Sequence, residues 1–376
     1  MNSLDNDRNL VRDDFVEHFA HLGYIPVPSV PVTRGDSTAH FVVATITPFM
    51  SGLLSQTLTP PGSFIVQKCL RTQNVDLSKT APPPEYMTTF EMCGTISPSD
   101  CAPAVARQSL DLLRDKYGIK QSDLRVRASS ADIGLYEGLK HQGVSVETDS
   151  RPESYYRWGY GRDGVSGRGI TWAIRSSERL EFRDIGNVVM IRHNNVDTAV
   201  EFGFGIETLV SRMRGLVRPL TAAKISEVIP FTEGDMEKLA DLLATSATMI
   251  HEGVVPGKNG QGKELKKHLR ALSFWTKTLK IESSQVCDWV KQYCLLEFGL
   301  DSGVSQTLNK LMNRYQQLEP IGDNQFANYA ANQVRAWQLR DVCNDQIFKI
   351  LLRKASLPPF EVHQSEATQI IQNLLN

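Results

Sequence analysis

Residues 200–209 read VEFGFGIETL, in which Gly203 and Gly205 flank a phenylalanine and an apolar run with helical spacing follows. Glycines at the start of a helix let its free N-terminal amides approach an anion. Glu201, which stands just before the glycines, offers a carboxylate that can hold an ammonium group. The same string also suits a tight strand-to-helix contact, where glycine is needed only because a side chain would not fit. These residues alone leave both interpretations open.

The sequence pattern changes shortly after this stretch. Before it, short β-branched and aromatic runs alternate with helical ones, whereas later apolar residues recur almost only with helical spacing. The break lies near Pro219 and Pro230, and a chain of 376 residues is too long for one simple core. We therefore expect an α+β domain over residues 1–220, an antiparallel sheet flanked by helices, and an all-helical domain over residues 221–376.

The individual elements are predicted from hydrophobic periodicity and glycine content. The expected strands are His40–Ile46, Ser63–Leu70, Thr88–Cys93, Leu124–Ala128 and Leu180–Arg192. The expected helices of the first domain are Leu10–Leu22, Ala104–Lys116, Ile133–His141 and residues 206–213. The expected helices of the second domain are Met236–His251, Lys263–Lys280, Ser283–Phe298, Ser305–Leu318, Asn324–Leu351 and Ser365–Leu375. Tyr156–Gly169, with five glycines, is expected to be a loop.

Composition excludes several classes of protein. The formal net charge is -1, so any site for a polyanion must be a local patch. The six cysteines form no CxxC pair, which argues against a zinc site and for a reducing compartment. No window approaches the roughly 20 apolar residues of a membrane span. Because the first ten residues are polar and acidic rather than a signal peptide, we expect a cytoplasmic protein that does not contact membranes.

Three further segments have the composition of ligand sites. In FIVQKCLR, residues 64–71, a predicted strand ends at Arg71, and Phe90 lies on the next strand, so a guanidinium and an aromatic ring suit a nucleotide. WGYGRDGVSGRGIT, residues 158–171, carries glycines that let the backbone approach a ligand. Residues 253–272 form a glycine-rich turn followed by a basic helix face. The alternatives are a surface hairpin with a solvated arginine, a flexible loop, and a solvated charged face.

In this order the segments resemble the aminoacylation fragment of alanyl-tRNA synthetases, a family of class II synthetases. VQKCLR (66–71) resembles the family's SQ(K/R)CVR, and TTFEMCG (88–94) resembles its TFFEMLG; together these form motif 2. WGYGRDGVSG follows the family's W-x-x-G-x-x-G-x-x-G spacing, and GNVVM (186–190) resembles its WNIVF strand. VEFGFGIETL resembles VDTGMGLERI, motif 3, and residues 250–272 resemble the segment around I-A-D-G-V-x-P with its basic helix.

The resemblance implies roles for individual residues in activating an amino acid with ATP. Arg71 and Glu201 would be the catalytic residues: Arg71 contacts the α-phosphate of ATP and the carbonyl of the amino acid, and Glu201 holds the ammonium group. Phe90 would stack on adenine, and Gly205 and Arg212 would also bind ATP. The implied amino-acid pocket is Trp158, Val188, Glu201 and Gly203. The implied contacts to the tRNA acceptor stem are Asn259, Lys263, Lys266, Lys267 and Arg270. The implied cofactors are ATP and Mg²⁺, with no zinc and no metal ligand among the side chains.

The sequence also departs from the family pattern. Thr208 stands where motif 3 has the arginine that binds the γ-phosphate, and Arg212 and Arg214 are the candidates to replace it. Glu201 replaces an aspartate, Thr171 replaces an acidic residue, and the loop after Arg71 lacks the family's histidine pair. We therefore expect a homologue that lacks the editing and C-terminal domains of the family.

These departures leave three functions open. The first is a stand-alone ligase that activates alanine or a close analogue and transfers it, most simply to tRNA, in a specialised rather than housekeeping role. The second is an aminoacyl-adenylate ligase of a biosynthetic pathway that uses a small molecule or a carrier and ignores tRNA. The third is a non-catalytic RNA-binding relative, which the loss of charge at Thr208 supports.

Overall fold

The computed structural model describes residues 3–35, 39–78, 83–161, 164–231, 234–316, 323–338, 343–356, 360 and 362–375. Within these ranges a mixed sheet carries helices on both faces, and a run of helices follows it. The predicted fold class, an antiparallel-rich sheet flanked by helices and followed by a helical region, is confirmed. The domain boundary near residue 220 stays a prediction.

The sheet contains nine strands in the described part of the chain, in the order β1-β2-β3-β9-β8-β7-β4-β5, with β6 paired to β7. Neighbouring strands are antiparallel except for the pairs β1 with β2 and β4 with β5, which are parallel. Their bounds are β1 Ile25–Pro26, β2 Ser63–Leu70, β3 Thr89–Pro98, β4 Leu124–Ala128, β5 Ser145–Thr148, β6 Arg157–Gly159, β7 Val165–Ser176, β8 Arg179–His193 and β9 Val196–Gly205.

The helices accompany the sheet first and then follow one another without strands. The first five are α1 Ser3–His21, α2 Ile46–Leu54, α3 Ala102–Asp111, α4 Glu137–His141 and α5 Ile206–Met213. A π-helical turn, Leu112–Lys116, continues α3. The remaining helices are α6 Asp235–His251, α7 Gly260–Thr278, α8 Ser283–Phe298, α9 Val304–Gln316, α10 Asp323–Gln338, α11 Asn344–Ala355 and α12 Gln364–Leu375.

The two faces of the sheet bury different sets of side chains. On the face that we call the back, α1, α3 and α5 pack against alternate residues of β8 and β9, among them Val188, Phe202 and Phe204. On the opposite face, which we call the front, α2 packs against Val189 and its neighbours. Because side chains alternate along a strand, Glu201 and Gly203 of β9 belong to the front face. The back face therefore holds the larger core, and the front face remains partly open.

A third apolar cluster joins the sheet to the helices that follow it. Leu70 and Met87, at either end of the segment between β2 and β3, are buried together with residues of α6 and α7. Asp241 of α6 accepts hydrogen bonds from the backbone N–H and the hydroxyl of Thr88, at 2.8 Å and 2.6 Å. A separate cluster holds α10, α11 and α12 together. The segment between β2 and β3 is thus anchored on the helical region.

Several element predictions differ from the structure. The strand expected at His40–Ile46 is wrong: this apolar run is buried as irregular backbone, and α2 begins at Ile46. The loop expected at Tyr156–Gly169 is also wrong, because β6 and the start of β7 pair across its described residues. The strands β7 and β9 were not predicted, and the helix expected at Asn324–Leu351 is described as α10 and α11, with residues 339–342 outside the described part.

Candidate functional site

The front face contains a cavity of about 430 Å³. Its floor comes from the middle of the sheet, where Asn187 of β8 pairs with Gly203 of β9 and Gly94 of β3 pairs with Gly203 on the other side. Five of the predicted site residues line this cavity together: Arg71, Phe90, Trp158, Gly203 and Gly205. Residues that lie far apart in sequence therefore meet around one space large enough for a nucleotide and a small ligand.

Arg71 lies at the end of β2, and its guanidinium is stacked over the ring of Phe90, with 4.9 Å between Cζ and the ring centroid. Its Nε donates to the carbonyl of Val43 at 2.8 Å, which fixes the plane of the group. Neither Nη1 nor Nη2 has a partner among the described residues. Burial lowers the pKa of Arg71, yet an arginine stays charged at neutral pH. The cavity thus presents two free cationic donors beside an aromatic face.

The two glycines of the VEFGFGIETL segment differ in their roles. Gly203 lies inside β9, where it contributes nothing to a helix N-terminus, and only Gly205 directly precedes α5. A Cβ on Gly203 would lie 2.7 Å from the Cε atom of Met92, and one on Gly205 would lie 3.1 Å from the Oγ1 atom of Thr208. Gly203 pairs regularly within the sheet, and Gly205 has a negative φ. Lack of space for a side chain, rather than an unusual backbone conformation, therefore explains why glycine stands at both positions.

Val188 does not line the cavity, which corrects its assignment to the amino-acid pocket. It pairs with Phe202 in the β8–β9 register and is fully buried in the back-face core. Its neighbour Asn187 lines the cavity instead, since adjacent strand residues point to opposite faces. The Oδ1 atom of Asn187 accepts from the hydroxyl of Thr171 at 2.9 Å. Its amide nitrogen has no partner among the described residues and can donate to a ligand.

Glu201 is buried on the front face, at the edge of the cavity rather than in its lining. Its Oε1 atom accepts from the hydroxyl of Thr45 at 2.9 Å, next to the first residue of α2. Burial raises the pKa of Glu201 to about 7, although Thr45, the positive charge of Arg71 and the N–H of Ile46 act in the opposite direction. The carboxylate therefore already has partners, and its predicted contact with an ammonium group stays a prediction.

Arg212 occupies a different position from the other predicted ATP contacts. It follows Thr208 by one turn of α5; Thr208 lines the cavity, whereas Arg212 lies behind it with 1% of its side chain exposed. Its Nη2 atom donates to Glu85, which lines the cavity. Arg214, the other candidate for the missing charge, is 55% exposed and paired with Asp7 at 2.6 Å. Only Arg212 is therefore placed near the cavity.

The residues predicted to contact tRNA lie on and before α7. None of the five is among the cavity-lining residues of the described chain: Asn259, Lys263, Lys266, Lys267 and Arg270. Asn259 and Lys263 are exposed, and Lys267 forms an ion pair with Glu264 at 3.0 Å. The same helix reaches the segment between β2 and β3, because the indole N–H of Trp275 donates to the carbonyl of Ser78 at 3.2 Å.

The sequence missed one wall of the cavity, which carries Glu85, Tyr86, Tyr155 and Asp184. Asp184 accepts from the Tyr155 hydroxyl at 2.6 Å and from the Arg127 guanidinium. No short motif marks these residues, since they come from separate segments of the chain that meet only in the folded structure.

The described residues contain neither a cluster of metal-ligating side chains nor a helix that could span a membrane. These residues contain no group of three or more histidine, cysteine or acidic side chains that could hold a metal ion. The two cavity carboxylates, Glu85 and Asp184, are each paired with an arginine, so they form no preformed magnesium site. No helix in the described ranges is long and apolar enough to cross a membrane.

Comparison with known proteins agrees with the resemblance drawn from the sequence. Residues 10–148 match the family model described as "tRNA synthetases class II (A)". An alanine–tRNA ligase of Frankia casuarinae is 26% identical over 305 residues, which is 69% of this chain and 34% of the relative. That of Paenarthrobacter aurescens is 26% identical over 334 residues, 73% of this chain and 37% of the relative. The chain thus spans about a third of the length of the curated relatives that it matches.

Solved structures give a more distant likeness. A histidyl-tRNA synthetase of S. aureus shares 10% identity with a TM-score of 0.38, over 57% of this chain and 72% of that chain. The similarity to class II synthetases, and among them to alanine–tRNA ligases, is confirmed by the family match and the curated relatives.

Proposed function

We propose that this chain activates a small amino acid, alanine or a close analogue, with ATP and transfers it to an acceptor, most simply tRNA, in a specialised role. A carboxylate oxygen of the amino acid attacks the α-phosphorus of ATP, the bond to the β-phosphate breaks, and pyrophosphate leaves. A hydroxyl of the acceptor then attacks the carbonyl of the adenylate and displaces AMP. Such a reaction depends mainly on positioning the reactants and neutralising charge, so the chain needs cationic donors more than a nucleophile.

The observation that carries this proposal is the pair formed by Arg71 and Phe90 at the wall of the cavity. A planar ring beside two unpartnered guanidinium nitrogens suits a flat base attached to phosphates. In the proposed complex Phe90 stacks on adenine and Arg71 contacts the α-phosphate and the amino-acid carbonyl. Trp158 and Gly203 close the small pocket beside them, and Glu201 attracts the ammonium group.

The first test is amino-acid-dependent exchange of labelled pyrophosphate into ATP, with each of the twenty amino acids and with close analogues of alanine. We expect exchange with a small amino acid, and we expect Arg71→Ala to remove it. Arg175→Ala is the matched control, because Arg175 also stacks on a phenylalanine, with its Cζ 5.1 Å from the ring centroid of Phe182, but lies outside the cavity lining. Exchange that survives Arg71→Ala would overturn the assignment of Arg71.

The second test concerns the acceptor. The cationic side chains on α7 support tRNA, since clustered lysines and arginines bind phosphates. The ion pair between Lys267 and Glu264 occupies part of this face and favours the second candidate, a ligase that acts on a small molecule or carrier. Charging of tRNA, lost in a Lys263→Ala/Lys266→Ala double variant that retains pyrophosphate exchange, would support tRNA. Exchange without any charging would favour the second candidate.

A further inference from the structure

Arg212 is a buried cation with unused hydrogen-bonding capacity. Its Nε and Nη1 atoms are buried and have no hydrogen-bond partner among the described residues, while Nη2 donates to Glu85. A guanidinium has five N–H donors in a planar fork, so a single carboxylate oxygen satisfies only part of it. Tyr86, another cavity-lining residue, is close enough to Arg212 to feel its charge, and the remaining buried donors of Arg212 can bind further anionic oxygens.

Glu85 separates Arg212 from the cavity. Glu85 lines the cavity and Arg212 does not, and the side chain of Glu85 is 55% exposed against 1% for Arg212. The backbone around Glu85 is held in place, since Asn74 donates to the carbonyl of Tyr86 at 2.9 Å and Asp241 holds Thr88. The exposed carboxylate can therefore leave Arg212 by rotating its side chain, without moving the backbone.

Resting on the function proposed above, we propose that Glu85 is an anionic stand-in that the terminal phosphates of the nucleoside triphosphate displace from Arg212. Glu85 then tunes the affinity for the triphosphate. Arg212 supplies from one helical turn away the positive charge that Thr208 does not provide.

Electrostatics favours an exchange of this kind. A buried guanidinium without a counterion is unfavourable, so Glu85 stabilises the pocket when no nucleotide is bound. A phosphate is a better partner than a carboxylate here, because it offers three oxygens to a planar fork whose Nε and Nη1 lack partners. The rotated Glu85 would keep its charge in solvent. The exchange concerns the terminal phosphates alone, so a nucleoside monophosphate should not sense it.

Binding measurements test this without requiring turnover. The probe is an ATP analogue with a methylene bridge between the α- and β-phosphates, measured by calorimetry beside AMP on the full chain. We expect Glu85→Gln to tighten binding of the analogue by about tenfold, at the lower end of what a hydrogen bond between charged groups is worth, and to leave AMP unchanged. Glu137→Gln, the same change at an exposed glutamate outside the cavity lining, should alter neither ligand.

A double-mutant cycle tests whether Glu85 affects the affinity for the analogue through Arg212. Arg212→Gln should weaken binding of the analogue, and adding Glu85→Gln to this variant should not increase the affinity. Arg214→Gln, on the same helix but paired with Asp7, is the control for loss of an arginine. Three outcomes would overturn this inference and leave the proposed function standing. They are an unchanged or weaker affinity of Glu85→Gln for the analogue, an equal effect of Glu85→Gln on AMP binding, and a tenfold gain in affinity when Glu85→Gln is added to Arg212→Gln. A wild-type chain that binds neither nucleotide would overturn the proposed function with it.

Discussion

At the scale of single residues, Glu201 combines an observed structural contact with a proposed role in binding the amino acid. It accepts a hydrogen bond from Thr45, next to the first turn of α2, and it lies within the electrostatic influence of Arg71. Burial nevertheless dominates and raises its pKa to about 7. An incoming ammonium group would favour the ionised form, since an opposite charge at short range lowers the pKa of a carboxyl group. Binding of the amino acid and ionisation of Glu201 should therefore be coupled.

This coupling predicts a pH dependence. As the pH falls through about 7, Glu201 gains a proton and loses the charge that attracts the ammonium, so kcat/KM for the amino acid should fall on the acid side. Glu201→Gln should raise the KM for the amino acid by about tenfold or more, with ATP affinity preserved, and should flatten the profile between pH 6 and about 8. The measurement is pyrophosphate exchange at varied pH. A Gln variant with lower thermal stability but an unchanged KM would reduce Glu201 to a structural partner of Thr45.

At the scale of secondary-structure elements, the register of β8 decides which of its side chains face the cavity. Asn187 pairs with Gly203 and faces the cavity, and Val188 pairs with Phe202 and faces the core. Adjacent residues of a strand therefore face opposite sides of the sheet, and a register shift of one residue would exchange the two faces. Val188, the residue predicted for the pocket, is thus one position away from Asn187, the residue that lines the cavity.

The register predicts opposite outcomes for two neighbouring substitutions. Asn187→Ala removes an amide that faces the cavity, so the KM for the amino acid should rise several-fold, while the lost bond from Thr171 should lower the free energy of unfolding by about 1 kcal/mol. Val188→Ala leaves a void in the back-face core, so the free energy of unfolding should fall by about 1–3 kcal/mol with the KM unchanged. Chemical denaturation and steady-state exchange, measured on both variants, distinguish the two effects. The reverse assignment of effects would mean that Val188 is the pocket residue.

The elements also show how far the sequence alone could lead. Helical spacing predicted α5, α6 and α8 to within a residue or two. The apolar stripe of α8 is buried on one face, whereas α6 is buried on every side from Glu237 to Met249. The buried run at Phe41 and Val42 has strand-like composition, yet it lies in the core without a ladder, as propensity reflects burial more than backbone shape. Arg71, Phe90 and Gly203 could be found because they stand in motifs. Glu85 and Asp184 could not be found in this way, because they belong to separate segments that meet only in the folded structure.

At the scale of the whole molecule, buried polar contacts connect the cavity to the helical region. Asp241 of α6 holds Thr88, Trp275 of α7 holds Ser78, and both partners flank the cavity segment that carries Glu85. The helix proposed to contact tRNA is therefore hydrogen-bonded to the same segment that lines the cavity. Asp241 attaches this segment to α6, because both of its carboxylate oxygens accept hydrogen bonds from Thr88 at a buried position.

The raised pKa of Asp241 predicts that this attachment depends on pH. Burial raises its pKa from 3.8 to about 6, despite its two hydrogen bonds from Thr88. Between these values the folded chain binds more protons than the unfolded chain, so Asp241 lowers the free energy of unfolding as the pH rises, by up to about 3 kcal/mol in total. Glu201 and Glu207, whose pKa values burial raises to about 7, act in the same direction, and His18, whose pKa burial lowers, acts in the opposite one.

A comparison of variants isolates the contribution of Asp241. Asp241→Asn cannot titrate, so its free energy of unfolding should fall less than that of the wild type between pH 4 and about 7. Asp235→Asn, at an aspartate of α6 that is 47% exposed, should keep the wild-type slope. Urea denaturation across this pH range measures both slopes. If the Asn variant kept the wild-type slope, the attachment of the cavity segment to the helical region would not depend on ionisation of Asp241.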